Sequence, residues 1–257
     1  MDTTREERAE LAIESLTDSC RMIAEQSEGV REYSGFTAWL APESFWYHRV
    51  RLFAHPPRGT ERTVSEIADG IRSGELPPLL CWLDLDFPGT ELTGLLGEAG
   101  FVPVTAQRAM YLSLQGRAAG KETPGQLRRM ESSEIVEWAE TNAKAFAKPP
   151  DTGGLRLLAE RSGPETEFLV WEEDGRIAGG TLLCCSGSNA GIHEVFTLPE
   201  YRGRGIASAL VSRALDDGNL QGCACATLQA SEMGFPVYQK LGFEQVGTVH
   251  TWIRRPE

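Results

Sequence analysis

The run Arg202-Gly203-Arg204-Gly205-Ile206-Ala207, inside "EYRGRGIASAL" (200–210), concentrates residues that can do chemistry. A glycine loop feeding a helix aims several unpaired backbone N–H groups at one point, and the helix dipole adds partial positive charge there. A phosphate is the natural occupant of such a point. Without side chains at Gly203 and Gly205 the backbone can come close to it, and Arg202 and Arg204 can add charge-assisted hydrogen bonds. The same residues also suit a bare strand-to-helix turn that needs positive φ, so both readings stand at this level. Two familiar phosphate loops fit poorly. Ser208 stands where a dinucleotide fingerprint wants a third Gly or Ala, and the Gly-Lys-Ser/Thr of a Walker loop is absent.

The elements that must hold this loop can be read from apolar spacing. Ile206, Leu210, Val211, Ala214 and Leu215 form a helical stripe after the loop, which the pattern ends at Gly218. "EFLVWEEDGRIAGGTLLCC" gives two apolar runs around Asp174-Gly175, a strong hairpin signal. "AGIHEVFTL" (190–198) reads as a third strand, "CATLQA" (225–230) as another, "FPVYQKLGF" as a short helix and "VGTVHTWIRR" as a last strand. Residues 132–147 read as a helix with Ser132 or Ser133 as cap and Ile135, Trp138, Ala139 and Ala143 on its apolar face. Residues 126–257 are therefore an α+β domain with a mixed or mostly antiparallel sheet flanked by helices.

Upstream, "RAELAIESLTDSCRMIAEQ" has helical spacing through Leu11, Leu16 and Ile23. Residues 64–74 read as a short amphipathic helix closed by Gly74, and 76–85 as a buried strand. The polar, turn-rich "QGRAAGKETPGQ" (115–126) divides the chain near its middle. In the aromatic stretch 39–53, Trp39, Phe45, Trp46 and Tyr47 read as core and turn residues.

The charge balance bounds the partners. A formal charge of -12 and a pI of about 4.9 leave no electrostatic footprint for a phosphate backbone, so nucleic acid is not expected. No basic leader and no apolar run long enough to span a bilayer is found, which implies a soluble, cytoplasmic protein with no membrane partner. Cys20, Cys81, Cys184, Cys185, Cys223 and Cys225 include no C-x-x-C pair and read as buried free thiols, with no metal expected.

"VFTLPEYRGRGIASAL" resembles the coenzyme A loop of the GNAT superfamily of N-acetyltransferases, whose pattern is Gln/Arg-x-x-Gly-x-Gly/Ala; Arg202, Gly205 and Ala207 fill its defined positions. The resemblance covers about residues 126–257 and ends in "PVYQKLGF", similar to the family's closing Tyr-x-x-x-Gly-Phe segment with Tyr238, Gly242 and Phe243. It implies that the strand before the loop splays open and pairs with the pantetheine arm through Val195, Phe196 and Thr197. The pyrophosphate would then lie on Arg202, Gly203, Arg204, Gly205, Ile206 and Ala207. Tyr238 would be the general acid that protonates the departing thiolate. Many members carry Asn seven residues before that tyrosine, and Ser231 stands here instead, which puts one pantetheine contact in doubt. An attacking amine must also lose a proton. His193 and Glu194, adjacent on a strand, face opposite sides, and Glu194 is the candidate base because the implied acetyl site begins one residue later.

The first half repeats part of this pattern. Aligning Gly100-Phe101 with Gly242-Phe243 sets Leu96 where Tyr238 stands, and nothing upstream matches "RGRGIA". Residues 1–115 thus read as a degenerate GNAT-like half without a cofactor loop, 116–125 as a linker and 126–257 as the catalytic domain, a tandem arrangement. The expected activity is acetyl-CoA-dependent transfer of an acetyl group to a primary amine of a small molecule or peptide, in a ternary complex. The acidic charge weakly favours a cationic acceptor. The alternative is a coenzyme A-binding sensor with little catalysis, while aminoacyl transfer from tRNA conflicts with the acidic balance. Homo-oligomerisation stays open.

Overall fold

In the computed structural model, which describes residues 3–85, 90–117, 126–160 and 165–254, the predicted helices and strands form in the predicted order. The first are α1 (Arg5–Ala24), β1 (Gly29–Glu32), β2 (Phe36–Leu40), β3 (Arg49–Leu52), α2 (Thr60–Arg72), β4 (Leu79–Asp84), α3 (Thr90–Glu98) and β5 (Phe101–Ser113). Then come β6 (Leu127–Arg129), α4 (Ile135–Phe146), α5 (Thr152–Glu160), β7 (Thr166–Glu173), β8 (Arg176–Ser186) and β9 (Asn189–Thr197). The chain ends with α6 (Ile206–Leu220), β10 (Cys225–Ala230), α7 (Phe235–Lys240) and β11 (Glu244–Arg254). They divide into two compact units, Met1–Ala109 with Gln245–Glu257, and Met110–Glu244.

In the first unit β1, β2 and β3 pair antiparallel in turn, β3 runs parallel to β4, and β11 pairs antiparallel with β4. Phe36, Leu52, Ile67, Leu80, Leu96 and Phe101 fill its core. The division at 116–125 assigns the last strand to the second half, whereas here that strand completes the first unit. A strand's own residues specify that it is a strand and leave its partner open. The choice is made by packing: Trp252 joins the first unit's core, and His250 stacks on Trp82 at 4.8 Å. Most of the 116–125 stretch lies outside the described residues. Trp39 and Tyr47 are buried, and Phe45, 53% exposed, lies in the bend ahead of β3, so the stretch supplies both core and turn residues.

The second unit positions the candidate site. Here β10 is parallel to β9, and β9, β8, β7 and β6 pair antiparallel in turn. Asp174 and Gly175, at φ 50 and 72, close the β7–β8 hairpin with the two left-handed residues that a type I′ turn demands. Helix α6 buries Ile206, Leu210, Val211, Ala214 and Leu215 as predicted, yet it runs past Gly218 to Leu220. Gly218 is a packing residue, since a Cβ there would come within 2.7 Å of the Ala190 Cβ. Ser132 and Ser133 lie inside a 3₁₀ turn rather than at a cap; the N–H of Glu131 ahead of it is bound by the Glu134 carboxylate at 2.8 Å. All six cysteines are free and all but the half-buried Cys185 are buried.

Trp138 on α4 is fully buried and meets Phe168 and Phe196 edge-on, each at 5.1 Å between ring centroids. Gly180 makes this possible, because a Cβ there would lie 2.6 Å from Trp138 Nε1 and 2.8 Å from the Phe196 ring. Gly180→Ala is therefore expected to destabilise the fold by about 1–3 kcal/mol, the range for overpacking a filled core. Urea unfolding followed by tryptophan fluorescence would measure it, and an unchanged midpoint would show that the layer can shift to accept the methyl.

Candidate active site

The loop ahead of α6 has the backbone that its glycines suggest. Gly203 and Gly205 hold φ 78 and 81, a region costly for other residues, and a Cβ at either would meet nothing within 4 Å. Gly205 is the N-cap of α6 and offers no side-chain cap. Among the described residues, the N–H groups of Gly203, Arg204, Gly205, Ile206, Ala207 and Ser208 find no acceptor, and the first bond of the turn is Ala209 N–H to the Gly205 carbonyl at 3.0 Å. An open cradle of unpaired donors at a helix N-terminus fits a pyrophosphate.

Both arginines of the loop already touch backbone carbonyls. Arg202 donates from Nε to the Thr197 carbonyl at 3.2 Å and from Nη2 to the Ala145 carbonyl at 3.0 Å. Arg204 lies over the Tyr201 ring at 5.2 Å and reaches the Glu200 carbonyl at 3.4 Å. In this arrangement Arg202 braces the loop against the end of α4, and the row of N–H groups remains as the anion cradle. The Ile206 side chain sits in the core, so only its backbone faces that role.

Strand β9 parts from its parallel neighbour. Its pairing with β10 runs from Asn189 to Gly191 and stops, while β9 continues to Thr197. Val195 and Phe196 thus have an edge open away from β8, but the Thr197 carbonyl is already taken by Arg202. The Phe196 side chain is buried against Trp138, which leaves its backbone as the available part.

A bulge interrupts β9 at the candidate base. Leu182 pairs with His193 and Gly180 with Phe196, so Glu194 and Val195 stand opposite Thr181 alone, and Glu194 takes φ 50. The Thr181 hydroxyl bridges the gap to the His193 carbonyl at 3.0 Å. The bulge breaks the alternation between Glu194 and Val195, while the register still sets His193 opposite Leu182 and Glu194 opposite Thr181.

Glu194 Oε2 accepts from Asn142 Nδ2 at 2.9 Å and from Lys148 Nζ at 3.0 Å. The pair is half-enclosed, with side-chain exposures of 16% for Lys148 and 19% for Glu194. Burial pushes the Glu194 carboxyl up, but the Lys148 ammonium, the two hydrogen bonds and nearby His193 outweigh it and hold the group below the ordinary carboxylate value.

Tyr238 is the buried residue of α7, edge-on to Phe243 at 6.2 Å between ring centroids, and burial raises its phenol far above the usual range, so it stays protonated. Ser231 is engaged locally: its hydroxyl accepts the Gly234 N–H at 3.2 Å and opens the turn into α7. It keeps an O–H to donate.

The profile described as "Acetyltransferase (GNAT) domain" matches residues 164–245, which contain every predicted site residue. The glucosamine 6-phosphate N-acetyltransferase of Trypanosoma brucei brucei is 30% identical over 129 residues, 46% of this chain and 88% of that protein. The chain belongs to the GNAT acetyltransferase family.

The mycothiol acetyltransferase of Clavibacter sepedonicus is 25% identical over 63% of this GNAT chain, which spans 56% of that protein's length. A solved GCN5-related N-acetyltransferase from Kribbella flavida superposes with a TM-score of 0.68 at 16% identity, over 94% of this chain and 95% of that one. That likeness shows the GNAT fold, an α+β mixed sheet flanked by helices, and the family match together with the acetyltransferase relatives makes this chain an acyltransferase.

Two residues bonded to the candidate base escaped the sequence reading, Asn142 and Lys148. Asn142 carried a usable signal: it stands four residues after Trp138 on the apolar face of α4, where a buried polar group needs a partner. Lys148 carried none, because its position depends on how the chain leaves α4.

Proposed function

We propose that this acetyltransferase uses acetyl-CoA and moves the acetyl group to a primary amine of a small molecule or peptide by direct transfer in a ternary complex. The observation that carries the reading is the row of six unpaired N–H groups at the head of α6, beside a strand that leaves its neighbour after Gly191. The pyrophosphate would rest on Gly203 to Ser208, and the pantetheine arm would add along the open edge of β9 at Val195 and Phe196. Bound acetyl-CoA supplies a thioester carbonyl carbon open to attack by an amine. Glu194 takes the proton from the acceptor nitrogen, a backbone N–H at or beside Phe196 meets the oxyanion, and Tyr238 gives its proton to the leaving sulfur.

Relatives named for glucosamine 6-phosphate and for mycothiol support a small-molecule acceptor. The charge of -12 favours one that approaches as a cation. Free thiols at all six cysteines fit work in the reducing cytoplasm. The sensor reading draws on one observation, the neutralisation of Glu194 by Lys148. A panel of amines separates the two, since a sensor binds the coenzyme without turnover.

The first unit reads as a GNAT-like copy that has lost its loop. Its order β1–β2–β3–α2–β4–α3–β5 parallels β7–β8–β9–α6–β10–α7–β11, with parallel pairing at β3–β4 as at β9–β10. Gly59 even caps α2 at φ 84, where Gly205 caps α6, but a single glycine follows Arg58 and the Gly59 N–H is spent on the Pro56 carbonyl at 3.0 Å. Leu96 is fully buried at the position that aligns with Tyr238.

Calorimetric titration of acetyl-CoA into the wild-type protein and into Gly205→Glu tests the reading. We expect one site per chain in the wild type and loss of binding in the variant, its fold verified by circular dichroism, because a carboxylate then stands where phosphates belong. Absence of binding to the wild type would remove the coenzyme from the mechanism.

A further inference from the structure

We propose that Lys148 is itself an acetyl acceptor of this enzyme, modified in cis by acetyl-CoA bound to the same chain. The inference rests on the acetyltransferase reading above and extends it to a self-modification site.

An acceptor needs a primary amine held within hydrogen-bond reach of the base, next to the acyl group. Lys148 meets the first two conditions without any ligand, since its Nζ lies 3.0 Å from Glu194 Oε2. The third follows from chain position, because Glu194 lies in the part of β9 that has left β10 after Gly191, one residue before the proposed pantetheine contacts at Val195 and Phe196. The ammonium also lies 5.0 Å from the centroid of the Phe146 ring, so a carboxylate and an aromatic face together form a seat for an amine cation.

The seat is built into the fold. Ala147, at φ 51, ends α4 in the left-handed conformation, and the Lys148 N–H returns to the Ala143 carbonyl at 3.0 Å. This turn fixes the start of the Lys148 side chain and directs it along the end of α4. Lys144, one turn earlier, makes a useful contrast: it is 66% exposed and only 3.5 Å from Glu200, itself 52% exposed.

In the step itself, the Nζ proton passes to the Glu194 carboxylate and the freed lone pair attacks the thioester carbon. The N–C bond forms, the C–S bond breaks, the sulfur leaves with the Tyr238 proton, and the second proton lost by the nitrogen passes through water to restore the Tyr238 phenol, while the one on Glu194 goes to solvent. Coenzyme A and an uncharged N-acetyl-lysine result, with no net oxidation or reduction. The product no longer neutralises Glu194, so acetylation would release the base that Lys148 holds.

Only four of the chain's 25 Lys and Arg residues are lysines, Lys121, Lys144, Lys148 and Lys240, so the product can be mapped without ambiguity. Guanidinium groups stay protonated and do not compete. The full-length protein is incubated with acetyl-CoA and no amine, and intact mass and peptide mapping are followed in time. A parallel sample receives limiting acetic anhydride, which reports the intrinsic reactivity of each lysine.

We expect one acetyl group per chain, on Lys148, at a rate independent of protein concentration. Acetyl-CoA should favour Lys148 over Lys144 by about tenfold or more, as a positioned amine would, whereas the anhydride should favour the exposed Lys144. Lys148→Arg keeps the charge and should abolish the label, and Glu194→Gln should slow labelling while coenzyme binding persists. If the enzyme binds acetyl-CoA and acetylates added amines while Lys148 stays unmodified, or if the label follows the anhydride pattern, the proposal is wrong and the acetyltransferase reading survives. If acetyl-CoA does not bind, both fall together.

Discussion

Tyr238→Phe is expected to lower kcat by about 10²- to 10⁴-fold, the range for losing a positioned general acid, with acetyl-CoA affinity close to wild type. The structure makes this a clean substitution. The ring is buried, seated against Phe243 and against Gly234, where a Cβ would come 2.8 Å from Cε2 and 3.2 Å from the hydroxyl. Phe keeps that packing and removes only an oxygen. Because burial holds the phenol protonated throughout the working range, its loss should appear as a uniform drop in rate rather than a shifted pH limb. An acetyl donor with a more acidic thiol needs less help in leaving, so it should recover much of the lost rate in the variant. Equal kcat for variant and wild type, or no recovery with the better leaving group, would return Tyr238 to the role of a core residue.

The fold was legible wherever its signals are local. Apolar stripes marked α1, α4 and α6, and Asp174-Gly175 marked the β7–β8 turn, because helix period and left-handed turn residues act within a few positions. The partner of β11 was not legible, since strand pairing is a long-range choice made by Trp252 and its neighbours in the first unit's core. The site divides the same way. The glycine loop carries its geometry in its own residues, and Gly203 and Gly205 hold the positive φ that they suggest. The charge of Arg202, which makes it a candidate phosphate ligand, is local information, whereas its bonds to the carbonyls of Thr197 and Ala145 depend on a helix 57 residues away. Glu194 was identified from its distance along the chain to the open strand, but its bulge and its ion pair were hidden. Both require knowing that α4 ends at Ala147 and returns Lys148 toward β9.

That ion pair yields the second large effect. Lys148→Met should raise the Glu194 carboxyl above the ordinary carboxylate value, because burial is the largest influence on it and only Asn142 and His193 remain to oppose it. The acid limb of the pH–rate profile should then move upward, since the base works only when deprotonated, and the base itself becomes stronger near neutral pH. Stability should change in the same sense. In the wild type the depressed carboxyl contributes stability that is complete above its unfolded value and is lost as the pH falls through the lower folded value. In Lys148→Met the folded value lies above the unfolded one, so the charged carboxylate becomes a liability at neutral pH and the variant gains stability as the pH falls. A loss of about 1–3 kcal/mol at neutral pH is expected for uncovering one partner of a half-enclosed pair, somewhat less than for a fully buried one. Carbon-detected NMR titration of the Glu194 carboxyl, with urea unfolding at several pH values, reads both quantities on protein never exposed to acetyl-CoA. A carboxyl that titrates at the same pH in both proteins would mean that Asn142 rather than Lys148 sets its charge. The self-acetylated enzyme would then gain nothing from losing the lysine's charge.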